Sequence, residues 1–151
     1  MSDEGNIQFI YASTATFGDG KIETPSTQLV VFDIVRKSRR DNPSRWGGVV
    51  GALLFGDGYF LQVLEGDAQN LDELSKVIFR DERHRDPRVL RRQPIDATRF
   101  AQWSMKFPSM SKDLRRALGL GGLGKFNPYK LSETKLDTLV DHLAANEDSV
   151  V

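Results

Sequence analysis

The chain has 151 residues, 39% of them hydrophobic and 28% charged, which suits one globular domain with a sizeable core. Lys and Arg number 21 and Asp and Glu number 21, a balance that excludes a strong global pull towards nucleic acid or an anionic membrane. The absence of cysteine excludes disulfides, thiolate catalysis, iron–sulfur clusters and Cys-based zinc sites, and two histidines, His84 and His142, are too few for a His-rich metal centre.

Residues 1–6, MSDEGN, are acidic and polar, unlike a signal peptide, and no apolar run approaches the roughly 18 residues of a membrane span. A cytoplasmic protein with no membrane partner is expected. Residues 7–13, IQFIYAS, alternate as a first strand. Thr24-Pro25-Ser26 then marks a helix start, and the helix is expected to reach about Arg40, with Arg36, Lys37, Arg39 and Arg40 at the negative end of its dipole. Residues 41–48, DNPSRWGG, read as loop. Val49–Phe55 and Tyr59–Leu64 read as two strands, and Asp57-Gly58 between them is a hairpin signal. Asp67 or Asn70 is suited to cap a second helix with the stripe Leu71, Leu74, Val77 and Ile78, ending in Arg80–Arg85. Val89–Leu90 begins a short strand that Pro94 limits. Arg99–Phe107 reads as a fifth strand, with Trp103, Met105 and Phe107 on one face.

The order β-α-β-β-α-β-β defines an α+β, ferredoxin-like sheet with two helices on one face, over residues 1–108. Residues 109–151 form a C-terminal extension of two helices. Lys112–Leu118 is short and basic. Leu131–Ala145 is amphipathic, with Leu131, Leu136, Leu139, Val140 and Leu143 in its stripe. This tail is too small for its own core and is expected to dock on the sheet or on a second copy of the chain.

Three constellations bear on chemistry. Residues 119–125, GLGGLGK, match part of a phosphate-binding loop, but Phe126 stands where Ser or Thr would hold magnesium, and a helix precedes the segment, so a linker is the better reading. Arg80, Arg83, His84, Arg85, Arg88, Arg91 and Arg92 form a basic cluster suited to a phosphate group or to simple solvation beside Asp81, Glu82 and Asp86. A sheet with aromatics suggests RNA stacking, yet Tyr59–Val63 lacks the basic and glycine pattern of RNA-recognition strands. Gln62 is the amide in YFLQVL, a strand apolar on both faces, and a buried amide must find partners. Tyr11 likewise ends an apolar face, with a hydroxyl that needs a partner. Periodicity does not say that the two meet.

Segments 51–66 (GALLFGDGYFLQVLEG), 80–86 (RDERHRD) and 99–107 (RFAQWSMKF) together resemble the BLUF family, the blue-light sensors using FAD. The resemblance spans about residues 7–108, and the tail resembles the extension of short, stand-alone members. It implies a flavin ring between the two helices. Tyr11, Gln62, Trp103 and Met105 match the photoactive positions. Asn42, Gln62, Arg83 and His84 match cofactor-binding positions, Asn42 at the uracil edge and Arg83 and His84 beside the ribityl chain and phosphates. Asn42 is followed by a loop two residues longer than usual, carrying Trp46.

The implied activity is switching, not enzymatic turnover. Tyr11 gives an electron and a proton, Gln62 is left rotated or tautomerised, and absorbance shifts to the red until dark recovery. The implied partners are a downstream signalling protein and further copies in a homo-oligomer. The alternatives on residue grounds are a flavin-free ferredoxin-like interaction module and a small RNA binder.

Overall fold

A computed structural model describes residues 5–121, 124–145 and 149–150. The acidic opening 1–4 and positions 122–123 of the glycine-rich stretch, on which readings were placed above, lie outside these residues. The elements are β1 (Asn6–Ala15), α1 (Pro25–Ser44), β2 (Val50–Gly56), β3 (Tyr59–Asp67), α2 (Ala68–Phe79), β4 (His84–Pro94), α3 (Lys112–Ala117) and α4 (Glu133–Ala145).

The four strands form one antiparallel sheet in the order β2-β3-β1-β4. Alternation along each strand builds two cores. Phe9, Tyr11, Leu53, Phe60 and Leu64 face Val31 and Val35 of α1 and Leu71 and Leu74 of α2. Ile10, Leu54, Leu61 and Val63 face the tail, against Leu114, Leu136, Leu139, Val140 and Leu143. With both faces covered, β3 needs apolar residues at nearly every position, which explains its sequence. Each fully buried aliphatic side chain of α4 contributes roughly 1.5–3 kcal/mol, enough to hold the tail on the sheet.

The hairpin turn forms where Asp57-Gly58 places it. Both residues have positive φ, 53° and 85°, the geometry of a two-residue turn that matches strand twist. Asp67 caps α2 by accepting from the Asn70 N–H at 3.1 Å.

Four elements differ from the sequence reading. Helix α1 runs to Ser44, past the expected end at Arg40, and so takes in Asn42 and Pro43. Proline removes a hydrogen bond to the preceding turn and crowds the carbonyl four residues earlier, and the helix ends one residue after it. Helix α2 stops at Phe79, not within Arg80–Arg85. Strand β4 is much longer than Val89–Leu90; as an edge strand with register shifts it tolerates Pro87 and Pro94. The fifth strand does not form as a strand. Residues 99–107 make one isolated bridge to β2, Ala52 to Lys106. The N–H groups of Arg99 and Phe100 donate to the Glu65 carboxylate instead of to a neighbouring strand, at 2.7 and 3.0 Å. Pro108 then bars extension.

Candidate functional site

A cavity of about 270 Å³ lies between α1 and α2, with the sheet as its floor. Tyr11 of β1 and Gln62 of β3 are direct partners in the strand register, and both side chains point into the cavity. The Tyr11 hydroxyl donates to Gln62 Oε1 at 2.6 Å. Both residues are buried, at 4% exposure. Burial, with the Asp81 carboxylate as a lesser cause, pushes the Tyr11 phenol far above its ordinary pKa. Tyr11 is therefore a fixed hydrogen-bond donor.

The opposite side of the Gln62 amide is weakly held. Among the described residues its Nε2 reaches only Met105 Sδ, at 3.5 Å. A thioether is a poor acceptor, so the amide keeps donor capacity facing the cavity. Met105 is fully buried in the core under the helices. Trp103 does not share that position. It is half-buried, does not line the cavity, and lies beneath Lys106 Nζ at 5.4 Å from its ring centre. The expectation that Trp103, Met105 and Phe107 share one face fails at Trp103, because the segment bends where the strand was expected.

Asn42 lines the cavity from the last turn of α1, buried at 3% exposure. Its Nδ2 donates to the Ser104 carbonyl at 2.8 Å, leaving Oδ1 as an acceptor with no protein partner among the described residues. Asn42 is carried by the helix itself and not by the longer loop that follows.

His84 and Arg83 form the wall beyond α2. His84 Nε2 lies 2.7 Å from the Ile78 carbonyl and so carries a proton; Nδ1 lies 2.7 Å from Ser13 Oγ. Both nitrogens are engaged within the protein, so His84 offers ring contact: it meets Tyr11 and Phe60 edge-on, at 6.1 and 6.4 Å between ring centres. Arg83 pairs with Asp81 at 2.6 Å and with Asp33 at 3.1 Å. The hydrogen bond from Arg83 holds the Asp81 carboxyl below its ordinary value. Ser13 was missed by the sequence reading. Its signal was the i, i+2 spacing from Tyr11, which puts both on one face of β1. The Ile78 and Ser104 carbonyls carry no signal, because backbone groups are chosen by the fold.

The rest of the basic cluster is largely paired. Arg85 meets Asp86, Arg91 meets Glu133 and Asp137, Arg92 meets Asp72, and Arg88 lies over Tyr129. Among the described residues no group of acids and histidines is placed to hold a metal, and no helix is long and apolar enough to cross a membrane.

The fold and site define a small α+β domain with a cavity between two helices above a hydrogen-bonded Tyr–Gln pair. The family described as BLUF, sensors of blue-light using FAD, matches residues 7–106, and this chain belongs to it. Solved structures agree over nearly the whole length. BlsA in its photo-activated state is 26% identical, with a TM-score of 0.83 over 97% of this chain and 99% of that one. BlrB, a BLUF protein in its dark state, is 30% identical, with a TM-score of 0.74 over 93% and 96%. Photoactivated adenylate cyclase subunit alpha of Euglena gracilis is 39% identical over 59 residues, which are 39% of this chain and 6% of that protein. The chain thus matches only a small part of that relative's length.

Proposed function

We propose that this chain is a blue-light photoreceptor that binds FAD noncovalently between α1 and α2 and switches through Tyr11 and Gln62. The observation that carries the reading is the 2.6 Å hydrogen bond from a buried phenol to a buried amide on the cavity floor. The residues present fit a flavin. The spare donor of Gln62 and the free Oδ1 of Asn42 suit its carbonyl and imide edge. Leu74, Val77, Ile34 and Ile78 supply apolar walls, and Lys37 and Arg80 line the cavity as cations suited to phosphates. His84 contributes a ring contact, and Arg83, held by its two carboxylates, shapes the wall.

When bound, the flavin supplies blue-light absorption and an excited-state oxidant. Tyr11 is the reductant, and loss of an electron makes a phenol strongly acidic. Among the described residues its proton has one acceptor in reach, Gln62 Oε1, and electron and proton would return to Tyr11 once the amide has rearranged. An amide protonated or turned there gives up its old bonds to Tyr11 and Met105 and makes new ones. The Gln62–Met105 contact carries that change to the segment beside β2, a local hydrogen-bond event that biases a larger element. Met105 is the photoactive neighbour in this reading, and Trp103 acts from outside the cavity. The process returns in the dark, so the protein is a sensor and not an enzyme, and its output passes to a signalling partner or through a homo-oligomer.

The test is a light-minus-dark absorbance spectrum of FAD-loaded protein. A reversible red shift is expected in the wild type. Tyr11→Phe keeps the packing and removes the phenol, so flavin stays bound and the shift is lost. A full photocycle in that variant overturns the assignment of Tyr11.

A further inference from the structure

The loop after α1 brings another aromatic group to the cavity. Trp46 is half-buried, lines the cavity, and packs on the core beneath the helices. Several contacts fix it there. The N–H groups of Arg45 and Trp46 both donate to the Asp41 carbonyl, at 2.7 and 3.2 Å. The Arg45 guanidinium lies 5.0 Å from the centre of the Trp46 ring. Gly47 and Gly48 follow at φ 70° and 89°, a turn that favours glycine, and the Gly48 N–H closes it on the Asn42 carbonyl at 2.9 Å. A Cβ on Gly47 would stand 2.5 Å from Asn70 Nδ2, so the turn is pressed against the start of α2. Trp46 therefore stands at the end of the cavity where α1 stops and α2 begins.

A polar surface loop needs no indole, and an indole held by a cation, a glycine turn and a neighbouring helix is placed for contact. Trp103 has no such position. We infer that Trp46, backed by Arg45, is an end wall for the planar aromatic ring of the bound flavin, a positioning residue that excludes water and slows release of the cofactor. This rests on the flavin reading above. The wall acts on the ring and not on the phosphates, so it retains riboflavin as well as FAD.

The test uses the full chain loaded with FAD or with riboflavin. Release is followed by recovery of free-flavin fluorescence on dilution, and water access by iodide quenching of the bound flavin. An aromatic contact of this kind corresponds to about a tenfold effect. Trp46→Ala is expected to release both flavins about tenfold faster and to raise the quenching. Trp46→Phe restores most of the retention. The flavin-free Trp46→Ala protein melts near the wild type. Release and quenching at wild-type levels in Trp46→Ala overturn the inference alone, as does a loss confined to FAD, or a large drop in melting temperature that Phe does not repair. Wild-type protein that takes up neither flavin overturns the flavin reading itself.

Discussion

At the scale of single residues, Gln62 shows what the sequence makes legible. An amide in a strand apolar on both faces announces itself by contrast, and the structure buries it at 4% exposure. Its bond to Tyr11 was not legible, because it depends on the register of two strands about 50 residues apart in sequence. The same holds for the spare acceptor of Asn42, which exists because a backbone carbonyl takes the other half of that amide. Leucine at position 62 keeps the volume and removes every hydrogen bond. The Tyr11 hydroxyl then loses its acceptor, at a cost of roughly 1–3 kcal/mol. Folding and flavin binding should survive, since the walls and cations lie elsewhere. The light-minus-dark spectrum of Gln62→Leu, with bound flavin confirmed, should show no reversible red shift. A normal shift with normal recovery would refute the glutamine switch.

At the scale of elements, local rules succeeded where a local signal decides the outcome. The Asp57-Gly58 turn and the Asp67 cap formed where turn and cap chemistry put them. They failed where a distant partner decides. The fifth strand had the right alternation, but the Glu65 carboxylate, buried on the other strand, takes the amide groups that would have begun it. The hairpin turn has a second duty that no local pattern reveals. Asp57 Oδ2 accepts from the Phe126 N–H at 2.7 Å and from Arg115 at 3.1 Å, pinning the tail to the β2–β3 turn. Burial alone would raise the Asp57 pKa, but the hydrogen bonds from Arg115 and Phe126 outweigh it, and the net direction is down. A carboxyl whose folded value lies below its unfolded value stabilises above about pH 4, and that stabilisation is lost as pH falls through the folded value. Asparagine tolerates positive φ, so Asp57→Asn keeps the turn and removes the charge. A loss of about 1 kcal/mol, or roughly 2–4 °C in melting temperature, is expected at pH 7. The gap to wild type should narrow towards pH 3. A gap that stays constant with pH would show that the charge plays no part.

At the scale of the whole molecule, the sheet is shared between a ligand-holding layer and a tail layer. The sequence made the two-layer logic readable, since β3 is apolar on both faces and the tail has an apolar stripe without a core of its own. It did not show how firmly the layers are joined. Arg91 of β4, only 8% exposed, bonds Glu133 and Asp137 of α4, and Arg99 pairs with Asp141 one turn further on. Lys106, next to Met105, is buried and donates to the Leu143 carbonyl at 2.6 Å. The residue touching Gln62 and the residue holding the end of α4 are thus chain neighbours on opposite faces. If that is one cooperative unit, damage to the tail must be felt by the entire fold. Deleting residues 110–151 uncovers Ile10, Leu54, Leu61 and Val63 and should lower the melting temperature or change the oligomer mass. Leu139→Ala is the graded form of the same test. Leu139 is fully buried, and a cavity there costs about 2–5 kcal/mol, or roughly 5–15 °C in a chain of this size. Flavin-loaded Leu139→Ala should melt in one transition at that lower temperature, observed alike by flavin fluorescence and by far-UV circular dichroism. A flavin-release transition left at the wild-type temperature would make the tail a passive appendage, and with it the contact of Lys106 on α4 would be no path for a signal.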